Sequence, residues 1–153
     1  MANIVFNIAK GRIVELYNRV KSNDPANSAI ILIPIMTTGL EADSVLIDKD
    51  DLAAVLSGTT DEQTTMGRKT LTDADLAALP APDDTNDRYD VSLPTVTWTA
   101  ATGSAVSKIL VCYDADTTSG TDANVIPLTM FDLVLTPDGN DFELTGAAFF
   151  RAT

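Results

Sequence analysis

The chain has 153 residues, a length that fits one compact domain, and 45% of them are apolar, enough for a core that needs neither metal nor disulfides to hold it together. Ten Lys and Arg stand against 22 Asp and Glu with no His, a formal net charge of -12 at pH 7. That charge repels nucleic-acid phosphates and anionic lipid headgroups and points to a neutral or basic protein surface as partner.

No basic segment followed by an apolar stretch and a small-residue cleavage site opens the sequence, so synthesis in the cytoplasm without signal-peptide export is expected. From Ile8 to about Lys21 the apolar residues Ile13, Leu16, Tyr17 and Val20 recur at spacings of three and four, which predicts a helix with one buried face. Asn23-Asp24-Pro25 ends it, because the residue before a proline avoids helical geometry. The run from Ser28 to Met36 is β-branched and short, and reads as a strand buried on both faces, with Pro34 marking a bulge or an edge. It is far too short to span a bilayer, and no membrane segment is expected.

Two similar segments follow, residues 47–54 and 71–78, each with Asp or Thr placed to cap backbone N–H groups and further acids in the first turn. Both predict short helices, and their likeness is what capping chemistry alone produces. Between them the polar, Thr-rich stretch 57–70 predicts an exposed loop. Pro80 to Asp87 is rich in turn formers and marks the clearest change of character. Beyond it Tyr89-Val91-Leu93 and Val96-Trp98 alternate with polar residues. Lys108 to Tyr113 and Val125 to Leu135 continue the strand pattern, and Pro137-Asp138-Gly139-Asn140 turns into a last strand near Phe142. The whole predicts a single α+β domain over 1–153. Its N-terminal helix and short helices precede a β-rich C-terminal half, meander or sandwich, with an N-terminal arm over 1–9.

Chemistry finds little purchase in this sequence. The missing His removes the commonest general base, the usual activator of Ser and Cys nucleophiles and the commonest zinc ligand. No Gly-rich loop leads a strand into a helix, so nucleotide binding has no support. Cys112 sits in the apolar run from Ile109 to Tyr113, where a thiol acts as a small hydrophobe. Acidic residues are numerous enough for two to meet by chance, so carboxylate pairs alone do not argue for catalysis. Asp114, Asp116 and Asp122 imitate part of a calcium hand, but Gly120 falls one place late and Val125 stands where a bidentate Glu belongs. A solvated hairpin loop is the simpler reading there, and likewise for Asp83, Asp84 and Asp87. No enzyme activity, cofactor or metal is expected.

Candidate contact residues are of three kinds. Ile4 and Phe6 lie in the arm, and Met66 and Arg68 in the Thr-rich loop. Trp98, placed with Val96 on one strand face, is a core residue by default and an interface anchor by alternative. Phe149, Phe150 and Arg151 end the chain, and adjacent strand residues point to opposite faces, so if one Phe enters the core the other faces outward and needs a cover.

The opening Met1-Ala2-Asn3-Ile4-Val5-Phe6-Asn7-Ile8-Ala9-Lys10-Gly11-Arg12 and the tract Asp61-Glu62-Gln63-Thr64-Thr65-Met66-Gly67-Arg68-Lys69 resemble small proteins encoded among the head genes of tailed bacteriophages. The resemblance implies a capsid decoration, or cement, protein on the virion surface, made in the host cytoplasm. Its partners would be the major capsid protein and copies of itself, commonly as a homotrimer. It supplies no site motif. On this reading the arm and the Thr-rich loop touch the shell and the C-terminal β region makes subunit contacts. A tail, connector or head-fibre component is the alternative within virion proteins. A receptor- or carbohydrate-binding module, using Trp98 or Tyr89 as a stacking platform, is the alternative outside them.

Overall fold

The computed structural model describes residues 4–153. Strand outweighs helix, 33% against 18%, and is concentrated in the C-terminal half, which gives the α+β class. The chain begins with a two-residue strand, β1 (Ile4–Val5), and a 3-10 turn at Asn7–Ala9. Helix α1 (Ile13–Lys21) then buries Ile13, Leu16, Tyr17 and Val20, the four residues that its spacing selects. It starts five residues later than the apolar pattern because Gly11 has φ +80, a left-handed conformation that interrupts the helix. Its C-terminal cap, Ser22, is followed by Asn23, another left-handed residue.

Strand β2 (Ala29–Met36) is buried at seven consecutive positions. Two short helices follow, α2 (Asp43–Leu46) and α3 (Leu52–Val55). Asp51 caps α3 by accepting the Ala54 N–H at 2.7 Å. Asp51→Ala removes that acceptor and is expected to cost about 1 kcal/mol, read as a lower urea midpoint at unchanged slope. Strand β3 (Lys69–Leu71) leads into α4 (Asp73–Leu76), where Thr72 and Asp75 form a reciprocal capping box. The remaining strands are β4 (Tyr89–Ser92), β5 (Val96–Trp98), β6 (Val106–Asp114), β7 (Ile126–Leu135), β8 (Phe142–Leu144) and β9 (Ala148–Ala152).

A five-stranded antiparallel sheet, ordered β1-β7-β6-β2-β3, forms the centre. Pro34 is tolerated in β2 because β3 covers only Ile30 to Leu32 on that side. In an antiparallel strand a residue's N and O point the same way, and the Pro34 carbonyl accepts the Gln63 N–H at 2.9 Å. The absent proline donor therefore faces a short loop and not a continuous ladder. An irregularity in the β2–β6 register follows immediately, between Ile35 and Met36.

The C-terminal strands nest instead of meandering. β6 pairs with β7, β5 pairs with β8 outside them, and β4 pairs with β9. Leu93 N–H donates to the Ala147 carbonyl and Ala101 N–H to the Asn140 carbonyl, so 89–101 and 139–152 make one irregular ribbon. Gly146 is needed at its kink, since a Cβ there would stand 2.8 Å from the Leu93 carbonyl oxygen. One hydrophobic cluster joins α1, the central sheet and the inner side of the ribbon.

Two expectations are corrected by this arrangement. Residues 4–9 are not an arm: Ile4 pairs with Met130, Phe6 N–H donates to the Leu128 carbonyl, and Phe6 and Ala9 are fully buried. Residues 1–3 of the expected arm lie outside the described residues. Nor does 57–70 hang free. Asp61 and Gln63 hydrogen-bond to β2, Thr60 and Gln63 are buried, and the Gln63 amide donates to the Ser104 carbonyl at 2.9 Å. The stretch is nevertheless exposed, as expected, at Ser57 to Thr59, Asp61, Thr64, Thr65, Arg68 and Thr70.

Candidate interaction surface

Two charged centres brace the fold. Arg68 is gripped on two sides: Glu62 accepts from Nε and Nη2, and Asp122 from Nη1 and Nη2, at 2.7 to 3.0 Å. These hydrogen bonds, Asp122 foremost, hold the guanidinium pKa up and the Asp122 carboxyl down. The pairing ties the Thr-rich loop to the loop after β6, so Arg68 acts as an internal brace and not as a loose cation. Lys108 lies at the sheet centre with its side chain only 6% exposed, between Asp132 at 2.7 Å and Asp43 at 3.1 Å. Burial works against its charge, but the hydrogen bonds to the two carboxylates prevail and raise its pKa.

Several of the residues singled out as contacts lie inside the protein's own core. Ile4, Phe6 and Trp98 are 8%, 0% and 1% exposed, so none presents a side chain to a partner. The Trp98 indole N–H donates to the Gly67 carbonyl at 2.9 Å, its ring tilts against Phe142, and the Lys69 ammonium lies 5.7 Å from its centroid. Tyr89 is also buried, its hydroxyl engaged with Asn18. Neither ring offers the stacking platform that the carbohydrate reading requires. Met66 is partly buried against the core. Phe149 and Phe150 do not divide into one inside and one outside: both are half-buried, Phe149 beside the Tyr17 ring at 6.1 Å and Phe150 opposite Val91 in the ribbon. Arg151 is exposed and bonded to Asp90.

The acidic loops are occupied by their own turns. Asp114 accepts the Asp116 N–H, Asp116 accepts from Thr118 and Ser119, and Asp122 belongs to Arg68. Among the described residues no group of three or more His, Cys, Asp or Glu is placed to hold a metal ion. The Cys112 thiol is fully buried, and burial pushes its pKa well up.

What remains as surface chemistry is a contrast between two kinds of exterior. Arg19, Arg68, Arg88, Arg151 and Lys108, five of the ten cations, are ion-paired within the chain, and the excess of 22 acids over those ten makes the outer field acidic. Against this, residues 91–107, 133–137 and 144–150 carry no charged side chain at all. Two of these runs meet at a cleft of about 240 Å³ between β7 and the β8–β9 turn, lined by Leu93, Phe131, Leu144, Ala147, Ala148 and Phe149, with Thr145 and Asp132 at its polar side. Val134, two places beyond Asp132 on the same face of β7, is 83% exposed. Of the contact residues drawn from the sequence, only Phe149 lines this cleft. The sequence reading does not single out Phe131, Leu144 or Ala148, although Leu144 and Ala148 lie within an uncharged run. No family model, curated protein or solved structure matches the chain.

Proposed function

We propose that this chain is a bacteriophage capsid decoration protein, which binds the outside of the major capsid protein shell and stabilises it by surface contact, without catalysis. The observation that carries the reading is the partition of its exterior. Five of its ten cations are ion-paired within the chain, the net charge is -12, and an apolar cleft whose one charged lining residue is Asp132 lies on the β-rich half. Such a surface recognises other protein surfaces, the acids finding basic or neutral partners and the cleft excluding water. The likeness of residues 1–12 and 61–69 to phage head-gene products supports placing those partners in a virion. Many weak contacts on a repeated lattice add up, because one engaged contact raises the effective concentration for the next.

With residues 4–9 built into the sheet, the shell contact is assigned to the acidic loops and not to an arm. Co-sedimentation of the purified chain with empty capsids tests this. Saturable binding that weakens as salt rises from about 0.05 to about 0.5 M is expected for acids meeting a basic surface. Gel densitometry of purified virions then gives the copy number. Copies on the scale of the capsid protein support decoration, a few copies per particle support the tail, connector or head-fibre alternative, and absence from particles overturns both.

A further inference from the structure

We infer that a second hollow, of about 290 Å³ between β3 and the loop after β6, binds one neutral pyranose unit of a sugar. The inference goes beyond the decoration reading, and its test uses the purified chain without capsids, so either can fail alone. The floor of the hollow is apolar, formed by the buried Ile31 of β2 and Val125, and its walls are polar. Those walls are fixed before any ligand arrives. Thr117 donates its N–H and its hydroxyl to the Asn27 carbonyl at 3.0 and 3.1 Å, and Asp122 is locked to Arg68. Unused hydrogen-bonding capacity then lines the space. Glu62 and Asp122 accept from Nε, Nη1 and Nη2 of Arg68 and leave one Nη1 hydrogen over. Asp114 accepts the Asp116 N–H with Oδ1, which leaves Oδ2. The Thr118 and Ser119 hydroxyls donate to Asp116 and keep their oxygens as acceptors, and Thr70 brings a hydroxyl that can do either.

Elimination selects the ligand. Asp114, Asp122 and Glu62 outnumber Arg68, the one cation at the site, so an anion is repelled. A metal ion lacks its ligand set, since no three His, Cys, Asp or Glu converge among the described residues. A wholly apolar molecule would strand the leftover donor and acceptors away from water. A sugar ring answers each part: its hydroxyls both donate and accept, and its C–H face lies on the aliphatic floor. The volume sits at the bottom of the usual range for ligand sites, roughly 300 to 1,000 Å³, and admits one ring. Neither Trp98 nor Tyr89 takes part. Without an aromatic platform the binding is weak, at a Kd of about 1 to 10 mM for a ligand of about twelve non-hydrogen atoms.

Amide chemical-shift titration of the isotope-labelled full chain with glucose, galactose, mannose and N-acetylglucosamine, each to about 50 mM, reads the site directly. Expected is a saturable shift at Ile31, Thr70 and residues 118–121 with at least one of these sugars, and none with glycerol, which has hydroxyls but no ring. A disaccharide of the same sugar that binds more tightly at the same residues identifies the end of a glycan chain as ligand, and equal binding identifies the free sugar. Asp114→Asn keeps the Oδ1 acceptor of the turn and converts the leftover oxygen into a donor, while Thr70→Val keeps the shape and loses the hydroxyl. Each is expected to weaken binding about fivefold or more, and Thr70→Ser, which retains the hydroxyl, to stay within about twofold of wild type. Unchanged amide shifts away from the hollow check that the variants keep the fold. Absence of saturable shifts with all the sugars overturns the inference. So do shifts scattered over the surface or matched by glycerol, or wild-type binding in both Asp114→Asn and Thr70→Val.

Discussion

Replacing Trp98 with Ala is expected to lower the stability of this protein by about 4 kcal/mol, among the largest losses that a single substitution here can produce. The side chain is 1% exposed, so its removal leaves a void bounded by Phe142 and the loop before β3. The Gly67 carbonyl loses the indole N–H it accepts, and Lys69 loses the ring beneath it. Trp98→Phe keeps most of the apolar volume and drops the hydrogen bond, and about 2 kcal/mol is expected for it. Urea unfolding followed by far-UV circular dichroism measures both without relying on the missing fluorophore. Wild-type stability in Trp98→Ala would remove Trp98 from the core and return it to the role of surface anchor.

The elements legible in the sequence are those whose stabilising contacts are local in pattern. Ile13, Leu16, Tyr17 and Val20 declare one face of α1 by spacing alone, and the unbroken apolar run of β2 declares burial on two sides. Capping is equally local, so Asp51 and Thr72 announce α3 and α4 although each has only four residues. Pairing is different in kind. Alternation says that β4 and β5 are strands and the turn at 137–140 points to a last one near Phe142, but nothing in Val96 or Trp98 names Leu144 or Phe142 as its partner, so sequence pattern does not carry the nested order. The arm failed for the same reason. Ile4 and Val5 make too short a strand to be seen without β7, which meets them from the far end of the chain.

Contact residues were less legible than elements, because a large apolar residue looks the same in sequence whether it fills a core or waits for a partner. Phe6 reads as a contact from its place in the expected arm and Trp98 as core by default with anchor as the alternative, and the sheet and ribbon close over both. The adjacent-residue rule for Phe149 and Phe150 assumes one open face. Here Tyr17 approaches Phe149 while the β4 strand runs beside Phe150, and both end half-covered. Arg68 is a candidate contact by its place in the Thr-rich loop, yet its fork geometry suits bidentate carboxylates, and Glu62 and Asp122 supply two of them.

Lys108→Met is expected to cost about 3 kcal/mol near neutral pH, toward the lower end of what breaking a buried ion pair costs because Asp43 is partly open to solvent. The lysine stem is replaced by apolar volume of similar shape, so the loss measures the charge. Without the ammonium, the Asp132 carboxylate, 13% exposed, sits at the sheet centre with its nearest strand-opposite cation gone. The pH dependence has a definite sign. The folded-state pKa of Lys108 lies above its ordinary 10.5, so its contribution is fully present below that value and fades as alkali carries the protein through the raised one. Wild type and variant should therefore differ by a constant amount from about pH 6 to about pH 9 and converge only in stronger alkali. Adding Asp132→Leu to Lys108→Met removes the carboxylate that faced the ammonium and is expected to restore part of the loss, since apolar replacement of both partners is often close to neutral. Urea midpoints of the two variants across pH check this. A gap that closes on the acid side of pH 9 would mean that some group other than the Lys108 ammonium holds α2 against the sheet.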